Sequence, residues 1–269
     1  GSRGVCQADC SGVGYPNARA VLNINGDLDD LAHYANTTAL PGDISAVLER
    51  LMSALGDETG IARRKDWLSD CATKKDEWKA FKKARLETAP MADEVWQQPV
   101  LTEPAAIHAV SSFANAKDAI KFFDAGDVQA NGFQIVEDDT PGQTFTETGA
   151  SFMGFSGSAL LGSAYVKDAK YGIAFTGDGS FMMNPQILID GVEHGVRGMI
   201  ALFDNRRMAA ITGLQYDQYG KEFKTNDSVQ VDYVAMAGSV TGLKAVHAGF
   251  DKASLEKALA EAFAHDGLS

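Results

Sequence analysis

Two apolar runs of strand length stand out in the second half of the chain, and polar residues close each of them. Residues 171–176 precede Gly177-Asp178-Gly179-Ser180, and residues 198–203 precede Asp204-Asn205. Short apolar runs bounded by turn residues are typical of buried strands. Because the segment between them has the length of a helix, the pattern predicts a strand–helix–strand unit with two parallel strands.

The same alternation of strand and helix patterns continues along the chain. Asp43 and Gly56 flank an amphipathic helix as its cap and its stop. The alternation predicts the α/β class, with a doubly wound parallel sheet and a partial second α/β domain at the N-terminus. The other predicted elements are strands at residues 20–25, 121–124 and 243–246, helices starting at 102, 184 and 232 and spanning 152–165 and 255–263, and a loop at 214–223.

Charge and composition narrow the classes of function. The sequence has 24 basic and 36 acidic side chains, a formal net charge of -12, which argues against nucleic-acid or membrane-surface binding. No apolar run approaches the roughly 18 residues of a membrane span, and no signal peptide is recognisable, so a cytoplasmic protein is expected. Cys6, Cys10 and Cys71 lack metal or redox spacing and are expected to be ordinary thiols.

The polar residues after the two strands suit a magnesium ion. Ligands bind outside the carboxyl ends of parallel strands, where Asp178 and Asn205 would present a carboxylate and an amide oxygen. Mg²⁺ prefers six oxygen ligands, and the backbone carbonyl of Arg207 could be a third one from the protein. Gly179 and Ser180 would let a diphosphate approach the backbone, aided by the helix that follows.

These residues match the motif of the thiamine diphosphate (thiamine pyrophosphate, TPP) enzymes. That motif begins with Gly-Asp-Gly and ends with an asparagine about 27 residues later, which is the interval from Asp178 to Asn205. The run 177–184 resembles the acetolactate-synthase-like group, and Ser151-Phe152-Met153-Gly154-Phe155 resembles the segment under the bent cofactor. The resemblance identifies residues 100–269 as the diphosphate-binding domain, 61–99 as a helical linker, and 1–60 as the end of a middle domain.

The resemblance also implies roles for single residues. Gly177, Gly179 and Ser180 would contact the diphosphate. Met153 would be the wedge that bends the cofactor, and the carbonyl of Ser151 would accept a hydrogen bond from its 4′-amino group. Further contacts are implied at Asp127, where relatives have a neutral diphosphate-contacting residue, and on the substrate side at Gln215 and Tyr216.

The run 147–154 looks most like the hydrolases of cyclic 1,2-diones, namely trihydroxycyclohexanedione hydrolase and cyclohexane-1,2-dione hydrolase. The implied reaction is the magnesium-dependent cleavage of a carbon–carbon bond next to a carbonyl in a small ketone or dione. Two alternatives stay open within this reading: an acetolactate-synthase-like 2-oxo acid decarboxylase or ligase, and a noncatalytic diphosphate-binding subunit. A metal-dependent phosphohydrolase is disfavoured, because Asp204 is the nearest further acid and no acidic cluster surrounds it.

In this family, a pyrimidine-binding domain supplies the glutamate that protonates the cofactor. No such domain is recognisable in this sequence, so the chain is expected to be a fragment or a split subunit, with that domain coming from the same or another chain. No catalytic residue is assigned here. The resemblance further implies a homodimer or homotetramer and allows FAD in the complete enzyme.

Overall fold

The structure is a computed structural model that describes residues 17–31, 37–56, 64–147, 149–224 and 226–269. It divides into two compact units, Gly1–Asp76 and Glu77–Ser269. In the described part of the chain, no helix combines the length and the apolar character of a membrane span. Cys6 and Cys10 lie outside the described residues, and Cys71 is a free thiol.

The first unit contains a parallel strand pair and a helix. Strand β1 (Val21–Asn25) pairs with β2 (Thr37–Pro41), and helix α1 (Ile44–Leu55) follows. The side chain of Asp43 accepts a hydrogen bond from the Ala46 N–H at 3.1 Å, so the predicted cap is confirmed.

A long charged helix and a hairpin follow. Helix α2 (Lys65–Leu86) has no buried residue, and the limit between the two units falls within it. Beyond it, β3 (Met91–Asp93) and β4 (Gln98–Val100) form an antiparallel hairpin. The sequence reading of 61–99 as helical did not include this hairpin.

The second unit is built on a four-stranded parallel sheet in the order β6-β5-β7-β8. Its strands are β5 (Ile120–Phe123), β6 (Thr144–Thr146), β7 (Gly172–Gly177) and β8 (Gly198–Phe203). The two apolar runs of the sequence are therefore adjacent parallel strands, as predicted. The helices of this unit are α3 (Glu103–Ala116), α4 (Asp127–Ile135), α5 (Phe155–Ser163), α6 (Asp178–Phe181), α7 (Ile187–Glu193), α8 (Ala209–Tyr219), α9 (Tyr233–Gly238) and α10 (Lys252–Phe263).

Helices cover both faces of this sheet. Ile173 and Phe175 of β7 pack in one core with residues of α3, α4 and α10, whereas Ala174 packs with Leu160 of α5 on the other face. Successive side chains of a strand point to opposite faces, so β7 is buried on both. The doubly wound α/β fold predicted from the sequence is thus the fold observed.

Two predicted elements are wrong. The loop predicted at 214–223 is mostly helix α8, because its Leu and Gln residues favour a helix despite Gly213. The strand predicted at 243–246 is absent from the described structure. Residues 267–269 pair with the start of β8 instead, and the Lys244 N–H donates only to the Leu268 carbonyl. Further along β8 lies a partly open cavity of about 830 Å³.

Candidate functional site

The pairing of β7 with β8 places the two predicted metal-binding side chains at one edge of the sheet. Gly177 is opposite Phe203 in the register. Asp178 directly follows Gly177, and Asn205 lies two residues beyond Phe203. Asp178 is 3% exposed, whereas Asn205 is exposed. Both side chains therefore belong to the carboxyl edge, where ligands of parallel sheets bind.

Asp178 is a buried carboxylate whose charge is only partly compensated. Burial raises its pKa, and the Ser228 hydroxyl, which donates to Oδ2 at 3.1 Å, opposes that shift together with the backbone N–H groups of Gly179 and of Asp178 itself. Burial also raises the pKa of Asp204, and the negative charge of Asp178 adds to the rise. Burial and these two carboxylates together raise the pKa of Tyr233 to about 12. A bound cation would relieve this concentration of negative charge, so the residues fit a divalent metal ion.

The turn after β8 carries the other predicted ligands. Oδ1 of Asn205 accepts a hydrogen bond from the Arg207 N–H at 2.9 Å, and an amide oxygen has a second lone pair for a metal. The Arg207 guanidinium forms ion pairs with Glu222 at 3.1 Å and Asp227 at 2.7 Å. The part of Arg207 relevant to a cation is therefore its main chain. In the described residues, no group of three or more His, Cys, Asp or Glu side chains could hold a metal, so any metal site here uses a mixed oxygen set.

Residues 151–155, which were predicted to lie under the bent cofactor and are called the wedge segment below, lie against the Gly-Asp-Gly turn. A Cβ added to Gly179 would lie 3.6 Å from Cε of Met153, and one added to Gly154 would lie 3.4 Å from Cβ of Met183. Gly154 has a φ of 90°, the left-handed conformation that favours glycine, and α5 starts directly after it. The helix therefore begins later than predicted from residue 152, which leaves Ser151 and Met153 in the preceding turn.

Asp124, a residue that sequence reasoning placed only in a strand, organises this region. It is fully buried and accepts hydrogen bonds from the Gly154 N–H at 2.8 Å, the Ser156 hydroxyl at 2.9 Å and the Thr176 hydroxyl at 2.8 Å. The Ala125 N–H is a fourth donor, at 3.0 Å. One carboxylate thus ties the end of β5 to the wedge segment and to the end of β7.

A second carboxylate shapes the other end of the wedge segment. Glu147 accepts backbone hydrogen bonds from Gly149 at 2.6 Å and from Ala150 at 2.9 Å. Desolvation opposes the effect of these donors, but together with Phe152 they hold the pKa of Glu147 below its ordinary value. The turn that leads to Ser151 is therefore built around an ionised side chain.

Asp127 lies beside the Gly-Asp-Gly turn, in the first turn of α4. The Ser180 hydroxyl donates to the Ala125 carbonyl at 3.3 Å, and a Cβ on Gly177 would lie 3.9 Å from Cγ2 of Val128. Burial raises the pKa of Asp127.

The carboxyl group of Glu103 interacts electrostatically with that of Asp127. Burial and the charge of Asp127 raise its pKa to about 7, against the opposing effects of Asn131 and Arg85. Asn131 donates to Glu103 at 2.9 Å and accepts from Arg85 at 2.7 Å. Glu103 and Asp127 therefore form a carboxyl pair with raised pKa values.

Gln215 and Tyr216 lie on helix α8. Gln215 accepts hydrogen bonds from the Phe223 N–H at 3.1 Å and from the Asn226 side chain at 3.2 Å, which join α8 to the loop after it. Tyr216 is 59% exposed. Their role on the substrate side stays a prediction.

Comparison with known proteins agrees with the motif. Residues 124–269 match the family model described as thiamine pyrophosphate enzyme, C-terminal TPP binding domain. The chain is 26% identical over 275 residues to 3D-(3,5/4)-trihydroxycyclohexane-1,2-dione hydrolase from Lacticaseibacillus casei, covering 92% of this chain and 41% of that protein. It is 32% identical over 130 residues to a probable acetolactate synthase large subunit from Methanococcus aeolicus, covering 48% of this chain and 22% of that protein. The chain thus spans less than half the length of these relatives.

A solved structure shows the same fold. The crystal structure of benzoylformate decarboxylase from Polynucleobacter necessarius superposes with a TM-score of 0.70 at 16% identity, covering 94% of this chain and 44% of that one. The family model covers more than half of the residues. The chain therefore belongs to the thiamine pyrophosphate enzymes, and residues 124–269 correspond to their C-terminal TPP-binding domain.

Proposed function

We propose that this chain holds thiamine diphosphate and Mg²⁺ in an enzyme that cleaves a carbon–carbon bond next to a carbonyl, specifically by hydrolysing a cyclic 1,2-dione. The observation that carries the proposal is the carboxyl edge of the sheet. There Asp178 and Asn205 follow adjacent strands, and Met153 lies against Gly179. The relatives named as trihydroxycyclohexanedione hydrolases support the choice of substrate class.

The residues that follow strands β7 and β8 would bind the metal ion and the diphosphate. Asp178 and Asn205 would give Mg²⁺ a carboxylate and an amide oxygen, and the carbonyl of Arg207 would complete the protein ligands. Gly179 and Ser180 would bind the diphosphate. The raised pKa of Asp178 supports this assignment, because a buried carboxylate that lacks sufficient donors gains most from a cation.

The wedge segment would orient the reactive part of the cofactor. Met153 would support its bend, and the carbonyl of Ser151 would accept a hydrogen bond from its 4′-amino group. Bound thiamine diphosphate supplies a nucleophilic carbon and an electron sink for carbon–carbon cleavage. The activating glutamate would come from a pyrimidine-binding domain of the same or another chain.

Asp127 is compatible with a nearby diphosphate because burial raises its pKa. The raised pKa values of Glu103 and Asp127 mean that this pair retains protons more readily than ordinary carboxyls. Retained protons lower the repulsion that two carboxylates would exert on a phosphate group. Asp127 would then contact the diphosphate through its position in the first turn of α4.

Calorimetry of the chain tests cofactor binding directly. Thiamine diphosphate should bind only with Mg²⁺ and more tightly than inorganic diphosphate, since only the former reaches Met153. Met153→Ala should narrow this difference, and Met52→Ala, at an exposed position of α1, is the matched control. Equal affinities for both ligands in the unsubstituted chain would instead support a noncatalytic diphosphate-binding subunit.

The reaction requires a second test, because the similarity to an acetolactate synthase subunit favours an alternative substrate. The protein combined with its pyrimidine-binding domain should open cyclohexane-1,2-dione by adding water, measured as the released oxo acid. Release of CO₂ from a 2-oxo acid, without ring opening, would assign it to the decarboxylases or ligases. Sedimentation and the visible spectrum of that assembly would test the expected homodimer or homotetramer and a flavin.

A further inference from the structure

The hairpin before the main domain contacts the turn that carries Asn205, and the sequence motif has no place for this contact. The indole N–H of Trp96 donates to the Asp204 carbonyl at 3.1 Å. The Arg206 guanidinium donates to the Val95 carbonyl at 2.6 Å. The two residues that flank Asn205 are therefore both bonded to the hairpin.

The indole ring of Trp96 also makes aromatic contacts. Cζ of Arg206 lies 4.9 Å from the centroid of the Trp96 ring, a cation–π distance, and the Phe250 ring lies 5.3 Å from the same ring. The Leu101 N–H, just after β4, donates to the Phe250 carbonyl at 2.9 Å. The position of Trp96 is thus fixed from a second side, so that it can hold another segment in place.

The hairpin itself is preorganised around Asp93. Its Oδ1 accepts hydrogen bonds from the N–H groups of Val95, at 2.8 Å, and of Trp96, at 2.9 Å. These short-range bonds shape the tip of the hairpin without help from the main domain.

The turn after β8 needs outside support. Arg206 has a φ of 51°, a left-handed conformation that costs a non-glycine residue about 1 kcal/mol or more. On its other side, the Arg206 carbonyl accepts from the Ser228 N–H at 2.9 Å, and the Ser228 hydroxyl reaches Asp178. The turn is therefore fixed between the hairpin and the segment that contacts the other predicted metal ligand.

We propose that Trp96 is a positioning residue that holds the turn 204–206 and thereby sets the orientation of Asn205 toward Mg²⁺. This inference rests on the proposed function and deepens it, since Trp96 would influence metal affinity without touching the ion. The cause is geometric. Mg²⁺ demands near-ideal octahedral geometry, so a small displacement of one ligand lowers its affinity.

Trp96→Phe is the decisive variant, because it retains an aromatic ring against Phe250 and Arg206 and removes the N–H donor together with the five-membered part of the indole. Mg²⁺ titrations at saturating thiamine diphosphate should show about five-fold weaker metal binding, the effect of one hydrogen bond. Trp78→Phe is the matched control, since Trp78 lies on the exposed face of α2, and its metal affinity should not change. Unfolding in urea should give similar stabilities for both variants.

A double-mutant cycle separates positioning from a general effect on packing. In an Asn205→Ala background, titrated with Mn²⁺ to cover weak binding, Trp96→Phe should have no further effect on metal affinity. An equal loss in both backgrounds would overturn the inference. If Trp96→Phe does not fold, Arg206→Ala decides, because it removes the cation–π contact with Trp96 and the donor to Val95 and keeps the cost of the left-handed conformation; wild-type affinity in that variant would also overturn it.

The failure of the inference and that of the proposed function are distinguishable. Unchanged metal binding in Trp96→Phe, with normal binding by the unsubstituted chain, contradicts the positioning role alone. Absence of Mg²⁺ binding by the unsubstituted chain contradicts the proposed function and, with it, the role of Trp96.

Discussion

Asp124 follows β5 and Asp178 follows β7, so two buried aspartates stand at the ends of adjacent strands. Asp124 accepts four hydrogen bonds, three of them from residues 30, 32 and 52 positions away. Asp178 accepts from one side chain, that of Ser228, and from backbone N–H groups of its own turn, and burial still raises its pKa. A buried carboxylate that joins several elements through its donors stabilises the fold, whereas one whose donors do not offset its burial is suited to bind a cation.

The contrast extends to the loops around each residue. Asp124 fixes the wedge segment through the Gly154 N–H, and Glu147 fixes its other end through backbone donors. The turn beside Asp178 depends on side chains from distant parts of the chain, such as Ser228 and Trp96. The wedge side of the site is therefore held by two carboxylates that directly follow strands β5 and β6, and the metal side by side chains from distant parts of the chain.

The largest effect is expected from removing the carboxylate of Asp124. Asp124→Ala leaves four donors unpaired in a buried site and should lower the free energy of unfolding by about 4 kcal/mol. Urea unfolding monitored by circular dichroism measures this. Asp139→Ala, at an exposed position, is the control and should change stability by less than about 0.5 kcal/mol. A similar stability for both variants would mean that Asp124 has no such structural role.

Asp178→Ala should weaken cofactor binding and change stability little, whereas Asp124→Ala mainly lowers stability. Its Mg²⁺-dependent binding of thiamine diphosphate should weaken more than about 100-fold, beyond the loss typical of residues that only support a metal ligand. Its stability without metal should stay within about 1 kcal/mol, because the ionised form is poorly compensated in the fold. Asp204→Asn, which changes a neighbouring carboxyl, should bind nearly as well. Calorimetry that finds a wild-type dissociation constant for Asp178→Ala would refute the assignment.

Glu103 is a half-buried carboxyl with few compensating donors, and it should make the free energy of unfolding depend on pH. Its folded pKa of about 7 lies above the ordinary value of 4.5, so the folded state binds the proton more tightly. Its stabilising contribution is complete below pH 4.5 and is lost as the pH rises through 7, by about 3 kcal/mol. Glu103→Gln should therefore be more stable than the unsubstituted chain at pH 8 and lack this part of the pH dependence.

Urea unfolding at pH 5 and pH 8 measures this difference. Glu87→Gln, at an exposed position near the end of α2, is the control and should keep the wild-type pH dependence. A parallel pH profile for Glu103→Gln and the unsubstituted chain would show that Glu103 does not titrate in this range.

The smallest effect is expected from a single donor of the Asp124 network. Thr176→Val retains the shape of the side chain and removes the hydroxyl that donates to Oδ2 at 2.8 Å. The free energy of unfolding should fall by about 1.5 kcal/mol, the value for a hydrogen bond to a charged group. In an Asp124→Asn background the same substitution should cost less. An equal cost in both backgrounds would indicate that the threonine acts through packing alone.

Much of the fold was predictable because its signals are local. The apolar runs at 171–176 and 198–203 became β7 and β8, and Asp43 and Asp232 cap the helices that follow them. Helix α8 was missed because a glycine and several polar aromatic residues obscured its helical propensity. Residues 243–246 were mistaken for a strand because an apolar run does not say whether a partner edge is available.

The sequence by itself determined the fold class, the family motif and the sheet edge at which the site lies. Spacing within about 30 residues is enough for this, since one strand–helix–strand unit carries both Asp178 and Asn205. Only the tertiary structure decided how the buried charges are compensated. Ser228 reaches Asp178 from 50 residues away, and Trp96 reaches Asp204 from 108 residues away. The pKa of a buried acid depends on partners in space, and those partners exist only once the sheet and its loops have assembled.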